Sequence, residues 1–469
     1  MKDTHNILLM TDSYKCPHAR AYKKGIQVIY SYLESRGGVH PEVVFFGLQY
    51  YIKKYLMGVQ VTKAKIDEAE KFWKEHFGRD DCFNRAGWEF ILNKCGGKLP
   101  IRIKAVPEGM VVPVSNVLVT IENTEEECYW LTNYVETLLV KLWYSITIAT
   151  QSQFIKRDIV RFLEKSGDPA GANFKVHDFG YRGVAAEEMA EIGAASHLLS
   201  FMGTDTIAGI RFLQKYYKSG MCGFSIPATE HSIMCSFGRE NEVEACENFL
   251  NQFPVGLIAC VSDTYNIYNC CENIWGGVLR DKVLQRDGCL VIRPDSGDFF
   301  EVIPKVLDIL GEKFGYTVNA KGYKVLDPHV RVIQGDGMNP TTIRQLYEHI
   351  MKLGWSADNM AVGSGGGLLQ QVNRDTQKFA FKCSAAVVDQ MWIDVYKEPI
   401  TDSGKRSKKG RLKLIQTKNL DGQTVLKTVN LDEPGEDLLV TVFEDGELVK
   451  EYTLDEVKKN METKLFTHL

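Results

Sequence analysis

The chain has 469 residues, 44% of them hydrophobic and 25% charged, with 40 glycines and 14 prolines. This excludes a small module, a fibrous chain and a disordered one, and leaves room for about two or three domains, or a barrel with a companion domain. Fifty-six Lys and Arg against 60 Asp and Glu leave a net charge of -4, which excludes attachment to nucleic acid by bulk positive charge.

At the start, MKDTHNILLMTDSYK has only the short apolar run from Ile7 to Met10, where a signal peptide needs a basic beginning and a longer apolar core. No later window approaches the roughly 20 apolar residues of a membrane span. Twelve cysteines at irregular spacings, without a Cys-x-x-Cys, point to neither a zinc site nor a disulfide framework. Reduced thiols in a cytoplasmic protein are expected.

Residues 1 to about 145 mix short apolar runs at 43–48, 101–106 and 117–121 with helix-like stretches at 62–77 and 127–143, the texture of an α+β layer domain. From about 174 to 370 a unit repeats: a short apolar strand, then Asp, Gly or Ser, then a helical stretch. The clearest strands, 257–261, 290–292, 330–333 and 360–362, run into Ser262-Asp263, Arg293-Pro294-Asp295, Gln334-Gly335-Asp336 and Gly363-Ser364-Gly365-Gly366-Gly367, with helices expected at 302–314 and 342–353. Continuously apolar strands alternating with helices imply parallel pairing with both faces covered. Polar residues at successive strand C-termini are how a β/α barrel builds its active face; they are also ordinary turn residues, and it is the series of four such loops that favours a site. After 375, alternating segments at 379–388, 391–395 and 438–443 are divided by charged loops, among them KRSKKGRLK (405–413) with six basic residues in nine. With no linker and no repeat, this tail is expected to pack back onto the N-terminal region.

The loop chemistry is that of a sugar phosphate. VGSGGGLLQ sets bare backbone N–H groups and a helix start after an apolar strand, a phosphate cradle that is neither a Walker loop nor a dinucleotide fingerprint. The neighbouring QGDG strengthens this, since barrel phosphate sites commonly use the loops after the last two strands. In IRPDSGD, Arg293 can grip phosphate with its planar fork, while Asp295 and Asp298 offer oxygens to sugar hydroxyls or a hard cation, although each Asp taken alone also reads as a solvated turn or a helix cap. HDFGYRG (177–183) adds an aromatic face at Phe179 or Tyr181 and a cation at Arg182, with a helix expected at 184–199. Asp205 in GTDT, and Glu230 and His231 in PATEHS, lie on further loops. His177 alone reads as a hydrogen-bonded core histidine. The same reading is open for His231, which beside a phosphate cradle can also take a phosphoryl group.

Together these motifs resemble the nicotinamide phosphoribosyltransferases, over nearly the whole chain: TDSYK (11–15), FGLQY (46–50), AVPEG (105–109), ECYWLTN (127–133), HDFGYRG, GTDT, PATEHS, VSDTYNIYN (261–269), IRPDSG, VIQGDG, GSGGGLLQ and KRSKKGRL. The resemblance implies an irregular β/α barrel over 150–374 and an α+β domain built from both ends, 1–149 and 375–469. It implies a pentosyltransfer from phosphoribosyl diphosphate to nicotinamide in NAD salvage, in a bacterial or phage-type member, since the stretch between Arg36 and Glu42 is shorter than in vertebrate relatives. Phe179 and Tyr14 of the partner subunit of a homodimer would sandwich the base, beside Asp12, with Asp205 accepting from the carboxamide and Arg182 and Ser225 completing the pocket. Arg293, Gly335, Gly365 and Gly366 would hold the 5'-phosphate, and Asp295 and Asp336 the ribose. Arg36, Arg374, Lys382 and Lys397 would bind the diphosphate with magnesium, although Ala380 stands where relatives often carry a serine. His231, grouped with Asp263, Arg293 and Asp295 as the catalytic set, is the position that relatives phosphorylate when they couple to ATP.

Two other functions fit the fold class. A nicotinate phosphoribosyltransferase would place a cation, not Asp205, against the pyridine substituent. A non-catalytic nucleotide-sensing or signalling protein would have no need of the intact run Arg293, Asp295, Asp336 and triple glycine. The basic stretch 405–413 is expected to be a solvated loop or one reaching toward nucleotide phosphates, not a nucleic-acid patch.

Overall fold

The computed structural model describes residues 5–401 and 405–462. The chain folds into two compact units, one from residues 1–150, 215–219 and 372–469, the other from 151–214 and 220–371.

In the first unit both chain ends share one seven-stranded sheet, in the order Met391–Asp394, Phe379–Val388, Ile26–Ser35, Val117–Asn123, Ile101–Ala105, Val440–Glu444 and Glu447–Leu448. Every neighbouring pair with a described register is antiparallel. The interior strand IQVIYSYLES is rich in β-branched and aromatic residues, which suit a pleated surface packed on both sides. Its register sets Tyr32 opposite Lys382 and Glu34 opposite Ala380.

Two expected elements differ. The stretch 127–143 is not one helix but short pieces, Glu126–Cys128, Leu131–Tyr134 and Glu136–Leu139, before the long helix Leu142–Ser166. The Thr11 hydroxyl donates to the Tyr134 carbonyl at 2.8 Å, and the Leu138 amide goes to the Val135 carbonyl instead of that of Tyr134. The run 43–48 is strand only over Glu42–Val44. Gly47, at φ 105°, then turns the chain into the helix Leu48–Tyr51, because the buried Glu108 carboxylate accepts from the amides of Gly47 (3.1 Å) and Gln49 (2.6 Å) and from the Tyr217 hydroxyl (2.6 Å). FGLQY and AVPEG are thus two halves of one structural cap.

The second unit is built on a six-stranded sheet. We label its strands β1 (Val176–Asp178), β2 (Gly203–Thr204), β3 (Val255–Val261), β4 (Asp287–Arg293), β5 (Val330–Gln334) and β6 (Met360–Ser364). They lie in the order β2-β1-β6-β5-β4-β3, with parallel pairing throughout. The sheet curls so far that one segment touches both edges: Phe224 bridges Gly203 on β2, and Ala228 bridges Ala259 on β3. Ala259, Val291 and Ile333 fill the interior, with Phe179, Ile226, Cys289 and Ala361 packed against them. Helices Phe299–Phe314 and Pro340–Lys352 present apolar stripes, Ile303, Val306, Leu307 and Leu310 on the first and Ile343, Leu346 and Ile350 on the second, all buried. Asp298 caps the first of these helices, accepting from the Phe300 amide at 2.8 Å; it is engaged as a cap, not presented to a sugar or cation. All twelve cysteines are free thiols. Among the described residues no helix is long and apolar enough to cross a membrane.

Candidate functional site

At the C-terminal ends of β1, β4, β5 and β6 the second unit opens into a cavity of about 1160 Å³, lined by residues from each of the following loops. Phe179 leaves β1 and donates its amide to the Ser364 carbonyl at 2.9 Å. Its ring lies across two glycines: a Cβ on Gly335 would sit 3.5 Å from it, and one on Gly363 would overlap it. Gly363→Ala is therefore expected to unseat the ring and lower stability by about 1–3 kcal/mol, read by urea denaturation. Asp178, buried just before Phe179, accepts from the Gly180 amide (2.7 Å) and the Thr204 hydroxyl (3.0 Å) and so fixes the turn that presents the ring. Burial pushes its carboxyl up from the usual range, against those bonds.

The phosphate-reading side follows. Arg293 ends β4 with its Nε buried and without a hydrogen-bond partner, and its nearest carboxylate, Asp295, is 3.9 Å away. A buried donor left unpaired costs about 1–3 kcal/mol, so the protein holds this guanidinium ready for an acceptor it does not itself provide. Facing it are Gly335 and Asp336 after β5 and Gly365 and Gly366 after β6. The helix Gly366–Leu369 starts there, and the first amides of a helix have no carbonyl of their own to reach. Gly367 packs so closely on the Met338 carbonyl that a Cβ would collide with it, and Ser364 Oγ donates to the same carbonyl at 2.6 Å. That stitches the β5 and β6 loops into one cradle.

Opposite the cradle stands Asp205. Its Oδ1 accepts from His177 Nε2 at 2.9 Å and Ser225 Oγ at 2.5 Å. Burial works against its charge, but these bonds outweigh it and hold the carboxyl below the usual carboxylate range. Arg182 lines the cavity from the turn Tyr181–Gly183. His231, the first residue of the helix His231–Cys235, lies between two cavity-lining residues of that segment, Glu230 and Ile233. Its Nε2 bonds the buried Asp263 at 3.0 Å. The other Asp263 oxygen accepts from the Asp295 amide (3.2 Å) and Ser296 Oγ (2.5 Å), so one carboxylate ties the histidine to the β4 loop.

The remaining predicted residues belong to the first unit. Tyr14 is 60% exposed, and Asp12 accepts from Thr137 Oγ1 at 2.6 Å. Lys382 is half-buried. Burial holds its amine below the usual lysine range, joined by the charges of Arg36, Lys397 and Arg374 and opposed by Glu136, so the four expected diphosphate ligands of this unit form one cation cluster. Arg36 donates Nε to Glu34 at 2.8 Å while its Nη2 is buried without a partner. In the stretch 405–413, Lys405, Arg406, Lys409 and Arg411 are exposed, as a solvated loop requires, with Arg406 pairing with Glu398, Lys409 with Asp394 at 3.6 Å and Arg411 lying 4.6 Å over the Trp392 ring. Two members turn inward: Lys408 pairs with Glu34, and Lys413 donates to the Gly435 carbonyl at 2.9 Å. Sequence reasoning missed Glu34, Asp178, Lys408 and the role of His177. The one signal was the burial of polar residues inside strands that otherwise read as apolar.

A curled parallel sheet whose C-terminal loops combine an arginine with an unpaired Nε, a glycine cradle and a half-exposed carboxylate is the architecture of a phosphoribosyltransferase. The model of the nicotinate phosphoribosyltransferase family matches residues 174–447, and that of the nicotinamide phosphoribosyltransferase N-terminal domain matches 6–103. A nicotinamide phosphoribosyltransferase of Xanthomonas campestris is 48% identical, covering 97% of both chains. One from Acinetobacter baylyi is 31% identical over 98% of each. The chain belongs to the family of nicotinamide phosphoribosyltransferases. Among solved structures it is similar to a nicotinate-nucleotide pyrophosphorylase from Pyrococcus furiosus (TM-score 0.61, 16% identity, 98% of this chain and 95% of that one). The human nicotinic acid phosphoribosyltransferase (TM-score 0.59, 15% identity, 97% and 93%) shares the fold at a similar level.

Proposed function

We propose that the protein transfers the phosphoribosyl group of 5-phosphoribosyl 1-diphosphate to nicotinamide, giving nicotinamide mononucleotide and diphosphate for NAD salvage. The observation that carries this is Asp205, a carboxylate held in its charged form in the same cavity as the unpartnered Arg293 and the glycine cradle. A carboxylate accepts from the amide NH2 of nicotinamide but meets the carboxylate of nicotinate with like charge.

The pyridine nitrogen of nicotinamide carries no proton, so attack on the anomeric carbon needs no general base. What it needs is orientation, which Phe179 supplies as a flat face, with Tyr14 of the partner subunit as the other. Arg293 and the amides of the cradle hold the 5'-phosphate, and Asp295 and Asp336 the ribose hydroxyls. Positive charge builds on the ribose as the diphosphate leaves with the glycosidic electron pair. Arg36, Arg374, Lys382 and Lys397 take up that negative charge. Asp295 and Asp336, which line the cavity, would give oxygens to magnesium carried in on the diphosphate. When bound it neutralises charge on the leaving group.

His231 is proposed to accept the γ-phosphoryl group of ATP at Nδ1, since Asp263 holds Nε2; the γ-phosphorus bond to the bridging oxygen breaks and ADP leaves. The exposed apolar residues of the second unit, among them the adjoining pair Phe174 and Phe224, would be covered in a homodimer, and free thiols suit the cytoplasm.

The test is to supply nicotinamide or nicotinate with phosphoribosyl diphosphate and magnesium, with and without ATP, and to score mononucleotide. Product from nicotinamide is expected, and none from either base removes the reading. Labelled ATP should leave acid-labile label on the wild type and none on His231→Asn; a wild type without label sinks the ATP step. Asp205→Asn should loosen the exclusion of nicotinate by at least about 10-fold, because like charges brought together cost several kcal/mol.

A further inference from the structure

The exclusion of nicotinate depends on where the Asp205 oxygens point, and Asp205 does not fix that itself. Its side chain is 47% exposed, on a loop after β2. Two donors reach it, His177 Nε2 and Ser225 Oγ, and both land on Oδ1. Oδ2 is the oxygen left to accept from a ligand. A carboxylate never donates, so His177 must carry its proton on Nε2.

The His177 ring is itself held hard. It is only 15% exposed, on β1 between β2 and β6, and its centroid lies 4.9 Å from that of Phe179. On the other side it meets the Gly203 backbone so closely that a Cβ there would come within 2.8 Å of Nδ1. Glycine at 203 therefore makes room for an imidazole whose edge points at Asp205 and whose face supports Phe179. Ser225 alone is a weaker guide, since one hydroxyl can follow a rotating carboxylate.

We propose that His177 is a positioning residue that sets the choice of base: by pinning Oδ1 of Asp205 and backing Phe179, it presents Oδ2 to a carboxamide and keeps a carboxylate out. Without it one of the two donors that fix Oδ1 is gone, and the half-exposed Asp205 carboxylate is free to turn away from the amide, leaving room for a carboxylate in its place. This rests on the nicotinamide reading above.

The experiment measures kcat and KM for nicotinamide, nicotinate and phosphoribosyl diphosphate in the wild type, His177→Ala, His177→Gln and His177→Asn. Gln carries its amide nitrogen near the position of Nε2, whereas Asn carries it near Nδ1. For His177→Ala, the KM for nicotinamide should rise at least 10-fold, the preference for nicotinamide over nicotinate should fall at least 10-fold, and the KM for phosphoribosyl diphosphate should stay within 2-fold. His177→Gln should recover most of the preference and His177→Asn should not. The Gln and Asn pair decides the matter even if the alanine variant fails to fold. An unchanged preference in the alanine variant, or Gln and Asn variants that behave alike, overturns the proposal while the nicotinamide reading stands. A wild type inactive on both bases overturns that reading and this proposal together.

Discussion

Replacing Arg293 by alanine is expected to lower kcat/KM for phosphoribosyl diphosphate by about 100- to 1,000-fold, the usual loss when a preorganised donor is removed from a charged site. Stability should not fall with it. The guanidinium Nε is buried without a partner and the nearest carboxylate, at 3.9 Å, is a loose one, so alanine removes more unfavourable burial than favourable contact. The Arg293 carbonyl, which accepts from the Ser262 amide at 3.0 Å, survives the substitution and keeps the β4 loop in register. The combination separates a phosphate ligand from a structural residue: steady-state kinetics should collapse while the denaturation midpoint holds or rises. Lysine at 293 should recover only part of the loss, because a point charge cannot reproduce a planar fork. An alanine variant within 5-fold of wild type, or one that unfolds several kcal/mol earlier, would show that Arg293 works for the fold.

How much of this was legible beforehand follows from what a residue needs around it. Strands 257–261, 290–292, 330–333 and 360–362 were readable because apolar runs bounded by turn residues have few other solutions, and they appear as β3 to β6 with one to three residues added at an end. The cradle was readable because three adjacent glycines after a strand free the backbone in a way few turns require. What escaped depends on partners far apart in the chain. His177 looked like an ordinary core histidine, and only the fold brings it to Asp205, 28 residues on. Asp298 and Asp295 stand in the same short motif, yet one caps a helix and the other lines the cavity; three residues of spacing cannot say which way each side chain turns. The helical texture of 127–143 was real, but the chain runs there as short pieces, with the Thr11 hydroxyl on the Tyr134 carbonyl at one break, and no local pattern announces a bond spanning 123 residues.

Glu34 is the clearest case of a residue invisible in sequence with a large expected effect. It is buried in the strand Ile26–Ser35, with Arg36 Nε on one oxygen at 2.8 Å and Lys408 Nζ on the other, and Lys408 further donates its amide to the Tyr32 hydroxyl at 2.9 Å. A naive count of charges predicts that deleting a carboxylate beside Arg36, Lys382, Arg374 and Lys397 would improve a site for an anion. Burial reverses that expectation: breaking a buried pair from one side leaves the other charge uncompensated, at a cost of about 3–5 kcal/mol, and here two cations lose their partner at once. Glu34→Ala is therefore expected to be destabilised by at least that amount in urea denaturation, with Glu34→Gln intermediate because the amide oxygen can still accept from one cation. The same logic fixes how the loss is repaired. On the proposed reading, inorganic diphosphate would bind only the folded state's cluster, stabilise by mass action, and stand in for the missing carboxylate in the variant. Millimolar diphosphate should thus recover more stability in Glu34→Ala than it adds to the wild type. Equal gains in the two proteins would mean that Glu34 anchors the strand and has nothing to do with the anion that the cluster is proposed to hold.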